Sequence, residues 1–106
     1  MTPEGKSTHV DSVVSSLGNH PDAERYRAAI EFLQMHLMIK RDIPNGKDFL
    51  FSGPEKQVLE ALKVLTAVEH RSSPFLQFDY ARINGYYLLR VIGGAEHQDA
   101  IAGYFD

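Results

Sequence analysis

Residues 75–92 read FLQFDYARI-NG-YYLLRVI, two runs rich in aromatic and branched side chains on either side of Asn84-Gly85. An Asn-Gly pair between such runs is the strongest short-range hairpin signal, because both central residues of a type I′ turn need positive φ. A two-residue turn sets the register by counting. Ile83 faces Tyr86, Arg82 faces Tyr87, Ala81 faces Leu88, Tyr80 faces Leu89, Asp79 faces Arg90 and Phe78 faces Val91. Directly opposed residues share a sheet face. One face then carries Leu76, Phe78, Tyr80, Leu89 and Val91 and belongs in a core. The other carries Gln77, Asp79, Ala81, Leu88 and Arg90, with Ile83, Tyr86 and Ile92 near its ends. A slip of one residue would part Asp79 from Arg90 and mix the two faces.

Helical patterns supply what packs on this hairpin. Residues 1–8 offer little to bury and read as a flexible tail, which leaves residues 9–106 as a single domain. Val10, Val13, Val14 and Leu17 recur at helical spacing, with Asp11 or Ser12 to open that helix and Gly18-Asn19 to close it. His20-Pro21-Asp22-Ala23-Glu24 is a helix start, proline suiting the first turn and the acids the positive end of the dipole. The stripe Tyr26, Ile30, Leu33, Leu37 carries this helix over residues 21–41, and Ile43-Pro44-Asn45-Gly46 turns the chain. Residues 48–52, DFLFS, form a short strand. Ser52 followed by Glu55 matches a capping box for a helix with Val58, Leu62 and Leu65 on its inner stripe, ending at His70-Arg71 before Ser72-Ser73-Pro74. A short helix over residues 95–105 offers Ala100, Ile101, Tyr104 and Phe105 for packing.

The order α, α, β, α, β, β, α predicts a two-layer α+β fold: a small antiparallel sheet packed by helices, with an N-terminal helical extension. Its β-α-β-β part resembles the split βαβ unit of ferredoxin-like folds, an architectural likeness that carries no function. The strand at 48–52 is expected beside residues 86–92 and antiparallel to them, giving three strands.

Composition narrows the function classes. Apolar residues make up 43% and charged ones 24%, a globular rather than a disordered balance. The absence of cysteine excludes disulfides, thiolate catalysis and cysteine-ligated zinc. The net charge is −3 with lysine and arginine dispersed, which argues against a nucleic-acid partner, and NGYYLLRV lacks the basic start of an RNP1 motif. The N-terminus has no apolar signal region, and no run approaches the roughly 20 apolar residues of a membrane span. A soluble cytoplasmic protein without a membrane partner is therefore expected.

Catalytic and metal-binding patterns are sparse. No His-x-x-x-His pair occurs, no serine lies in G-x-S-x-G, and Ser52-Gly53-Pro54 beside Lys56 lacks P-loop spacing, so no cofactor and no metal is expected. Hairpin topology places residues 70–71 and 93–97 at one end of the sheet, making His70, Arg71, Glu96, His97 and Asp99 the candidate ligand cluster. Apolar excess marks a candidate interface at Phe32, Met35 and Met38 on the long helix and at Ala81, Ile83, Tyr86 and Leu88 on the outer hairpin face. The leading expectation is a small non-catalytic binding or regulatory protein that acts through protein–protein contact, with a homodimer among its forms. The alternative is a small-ligand or metal-dependent enzyme at the His70/His97 end. One helix covers one face of a small sheet, so the helix at 21–41 either joins that layer or covers the other face and closes it.

Overall fold

The computed structural model describes residues 8–106; the tail expected over residues 1–8 lies outside them, except that Thr8 opens the first helix. The elements are α1 (Thr8–Leu17), α2 (Pro21–His36), β1 (Leu37–Ile43), β2 (Gly46–Phe51), α3 (Glu55–Ser72), β3 (Leu76–Ile83), β4 (Tyr86–Gly93), a 3₁₀ turn (Ala95–His97) and α4 (Gln98–Ala102). They form a two-layer α+β fold with one four-stranded antiparallel sheet in the order β1-β2-β4-β3.

The β3–β4 hairpin holds the register set by Asn84-Gly85 in every pair from Ile83↔Tyr86 to Phe78↔Val91. Asn84 and Gly85 both have positive φ, 49° and 84°, as a primed turn requires. The second strand pairs antiparallel with β4, Phe49 opposite Leu89, so β2-α3-β3 straddles β4 as a split βαβ unit. Gly46 opens β2 where no side chain fits: a Cβ there would lie 1.9 Å from the Val91 carbonyl oxygen.

Residues 37–41 depart from the helix expected over 21–41. The helix stops at His36, and Leu37 turns extended (φ −71°, ψ 129°). The chain runs on as β1, an edge strand that pairs with β2 around the Pro44-Asn45 turn, with a bulge between Leu37 and Ile39. Pairing with β2 gives the backbone of residues 37–43 a ladder that outweighs one more helical turn. The sheet therefore has four strands instead of three.

Two further expectations are corrected locally. The Ser52–Glu55 capping box does not form: Pro54 is the N-cap of α3 without a side-chain hydrogen bond, and Glu55 reaches Arg82 instead, at 2.6 Å. Tyr80 is 39% exposed although it shares a face with the buried Leu89 and Val91. Its strand is the sheet edge, where helical cover gives out. At the start of α2, by contrast, His20 caps as well as precedes Pro21, its Nδ1 accepting from the Asp22 amide at 3.0 Å.

The core lies between the inner sheet face and the helices. Phe49, Phe51, Leu89 and Val91 meet Val58, Leu62 and Leu65 of α3, with Ile101, Tyr104 and Phe105 closing one end. Phe105 sits edge-on to both Phe49 and Phe51. Helix α2 packs on α3, and α1 on both, so α2 joins the helical layer rather than crossing to the other side of the sheet. Among the described residues no helix packs on the outer face.

Candidate functional site

The outer face is built by the alternation of the four strands. Successive registers place Arg41 beside Asp48, Asp48 beside Arg90, and Arg90 beside Asp79, one level across the whole sheet. The next level is Ile39, Leu50, Leu88 and Ala81. Ile83 and Tyr86 stand opposite each other beyond it, and Ile92 flanks the charged level on the other side. Ile39 is 51% exposed, with Ile83 and Tyr86 close to two-fifths. A depression on this face is lined by Ile39, Arg41, Asp48, Leu50, Ile83 and Leu88.

Asp48 is the polar anchor of the face. It is buried, yet its two carboxylate oxygens accept from Arg90 at 2.7 Å (Nε) and 2.9 Å (Nη2) and from Arg41 at 3.1 Å. The Arg90 hydrogen bonds hold its carboxyl below the usual carboxylate range, with help from Arg41 and against the upward push of burial. Arg90 thus hydrogen-bonds to Asp48, while the Asp79 that faces it in the hairpin acts on it through charge alone. The fork geometry reaches the strand on its other side, which holds a carboxylate with less water around it.

The interface candidates separate into two groups. Ala81, Ile83, Tyr86 and Leu88 do share the outer face. Phe32 instead stacks on His36 (centroids 4.2 Å apart) and lines a groove between α2 and α3 with Ala28, Ala29, Ala61 and Val64. Met35 projects from α2, 81% exposed, and Met38 sits at the β1 bulge. Tyr86 and Tyr87 occupy opposite faces, the second buried, so they form no common stacking platform.

The histidine cluster is not assembled as a ligand set. Arg71 turns to α2 and pairs with Asp22 at 2.7 Å, while His70 borders a shallow depression beside Phe78. His97 stacks on Phe75 (4.3 Å between centroids) and lies 3.8 Å from Glu96. Asp99 is exposed in the first turn of α4. Among the described residues no group of three or more His, Asp or Glu stands close enough together to hold a metal ion.

A second polar centre, with no counterpart among the sequence candidates, lies inside the helical layer. Glu69 of α3 is fully buried and accepts hydroxyl hydrogen bonds from Tyr26 and Tyr104 on Oε2, each at 2.5 Å, and from Ser73 on Oε1 at 2.7 Å. His9 Nε2 stands 3.1 Å from Oε1. Burial pushes the carboxyl up most strongly of any single influence, but the bonds from His9, Tyr104, Tyr26 and Ser73 together hold it below the usual range. Burial and the Glu69 charge raise both tyrosine hydroxyls, which stay protonated as donors. All polar atoms here are satisfied, so the cluster ties the fold and offers no open position to a ligand.

Comparison with protein-family models, with curated proteins and with solved structures finds no match. Among the described residues no helix is long and apolar enough to cross a membrane.

Proposed function

We propose that this protein is a small, non-catalytic binding or regulatory protein of the cytoplasm that acts by contact with another protein chain through the outer face of its sheet. The observation that carries the reading is a four-stranded sheet whose outer side, among the described residues, has no helix over it and exposes Ile39, Ile83 and Tyr86 around Leu50 and Leu88. Contiguous apolar surface of this kind, interrupted by charge, is the anatomy of a contact site. The experiment is a photo-crosslinking amino acid placed at Ala81 on the outer face and, as a control, at Glu24 on the exposed side of α2. Crosslinked products in cells from position 81 and not from position 24 support the reading. Equal, background-level products from both overturn it.

A further inference from the structure

The charged level of the outer face has an order of its own. Read across β1-β2-β4-β3, Arg41, Asp48, Arg90 and Asp79 run plus, minus, plus, minus. The two inner members are joined to each other, but the ends are less engaged. The Arg41 side chain is 69% exposed while touching Asp48, and Asp79 is exposed with no hydrogen bond or ion pair among the described residues.

Such a row is antisymmetric about its midpoint between β2 and β4. A second copy turned over by 180° about an axis parallel to the strands presents the row reversed. Arg41 then stands over Asp79 of the second copy and Asp48 over its Arg90, and the same two contacts recur at the other end. Every position meets the opposite charge, and the apolar level Ile39-Leu50-Leu88-Ala81 meets itself. An axis at right angles to the strands would instead set Arg41 over Arg41 and Asp48 over Asp48. Like charges so placed are strongly unfavourable, so the row discriminates between the two isologous arrangements. Sheets stacked face to face lie about 10 Å apart with strands crossing at about 30°, a separation that long arginine side chains span.

We propose that the outer sheet face docks a second copy of this chain about a two-fold axis parallel to its strands, an inference that rests on the contact reading above and names the partner. The test uses the purified full chain in sedimentation equilibrium at micromolar concentration. The unaltered chain is expected to be a dimer. Arg41→Glu alone, or Asp79→Arg alone, sets like charges at both ends of the row and should weaken association about tenfold or more. An equimolar mixture of the two variants makes every facing pair opposite again and should restore a dimer. Both substitutions lie at exposed positions on edge strands, and thermal unfolding of each variant confirms that it is folded. A monomeric unaltered chain overturns the proposal, and crosslinks from position 81 to a different protein would then leave the contact reading standing. Variants that dimerise as well as the unaltered chain, or a mixture that stays monomeric, overturn the axis and with it the proposal.

Discussion

His9 and Glu69, 60 residues apart, meet in the interior: Nε2 of the ring lies 3.1 Å from Oε1 of the carboxylate. The contact binds α1 to the C-terminal turn of α3. The same carboxylate gathers Tyr26 from α2 and Tyr104 from the C-terminal segment, so one side chain links all parts of the helical layer. Ser73 completes it twice, its backbone amide bonding the Glu69 carbonyl at 2.7 Å and its hydroxyl the carboxylate.

Glu69→Gln keeps the shape but puts an NH2 donor among four donors. Buried polar groups left without partners make such a change expensive, about 3 kcal/mol. Tyr104→Phe removes one donor and should cost less, about 1.5–3 kcal/mol. Urea unfolding measures both. A midpoint unmoved by Glu69→Gln would remove the carboxylate from the set of groups that hold the helices together.

Acid should destabilise the protein through the same group. Glu69 and Asp48 are both held below the usual carboxylate range in the folded chain. In the unfolded chain such groups titrate near about 4.3 and 3.9. As pH falls past these values the unfolded chain takes up protons first, so stability declines with falling pH. Their contribution is fully present above about pH 5 and is lost as pH drops through the folded values. Urea unfolding of the unaltered chain and of Glu69→Gln with Asp48→Asn, from pH 7 to pH 3, should give the variant the shallower acid slope. Parallel slopes would count against both assignments.

The hairpin was legible because turn chemistry and alternation agree on one register, and Asn84-Gly85 leaves no second choice. The outer face followed from it, including Ala81, Ile83, Tyr86 and Leu88. The strand β1 was not legible. Leu37 continues the Leu33 spacing of the helix, and the exposure along β1 repeats every three residues rather than alternating. Its identity comes from pairing with β2, a long-range term that local periodicity does not contain. That strand also supplies Arg41, the second arginine on Asp48, while Asp79 faces Arg90 as the hairpin register requires. Glu69 did carry a signal: it falls three and four residues on from Thr66 and Leu65, on the stripe of Val58, Leu62 and Leu65. A carboxylate on a buried stripe needs hydroxyl donors, and Tyr26 and Tyr104 are the buried tyrosines that supply them.

Gly85 should resist substitution by a branched residue. Its φ of 84° lies in the left-handed region, and a Cβ added there meets no atom within 4 Å, so the cost is conformational and not steric crowding. Gly85→Val should therefore lose about 1–2 kcal/mol, and more than Gly85→Asn, which tolerates positive φ. Equal unfolding midpoints for the two variants would contradict the primed turn on which the β3–β4 register depends.

Asp48 and Arg90 provide the last prediction. Asp48 is 2% exposed and takes two hydrogen bonds from Arg90. Arg90→Met leaves that buried carboxylate to Arg41 alone and should lower the unfolding midpoint. Asp48→Val alone leaves Arg90 partly solvated, its side chain 44% exposed, and should cost less. The double change removes the charge and its counter-charge together, and valine suits a strand. Replacement of a buried ion pair by packed apolar groups is often neutral in stability, so the double variant should recover most of the loss caused by Arg90→Met. Urea midpoints of the four proteins give the coupling directly. A double variant as unstable as the two single losses added together would show that Asp48 and Arg90 are not energetically coupled. Recovery, in contrast, would mean that the central charges of the outer face are not needed for the fold to stand.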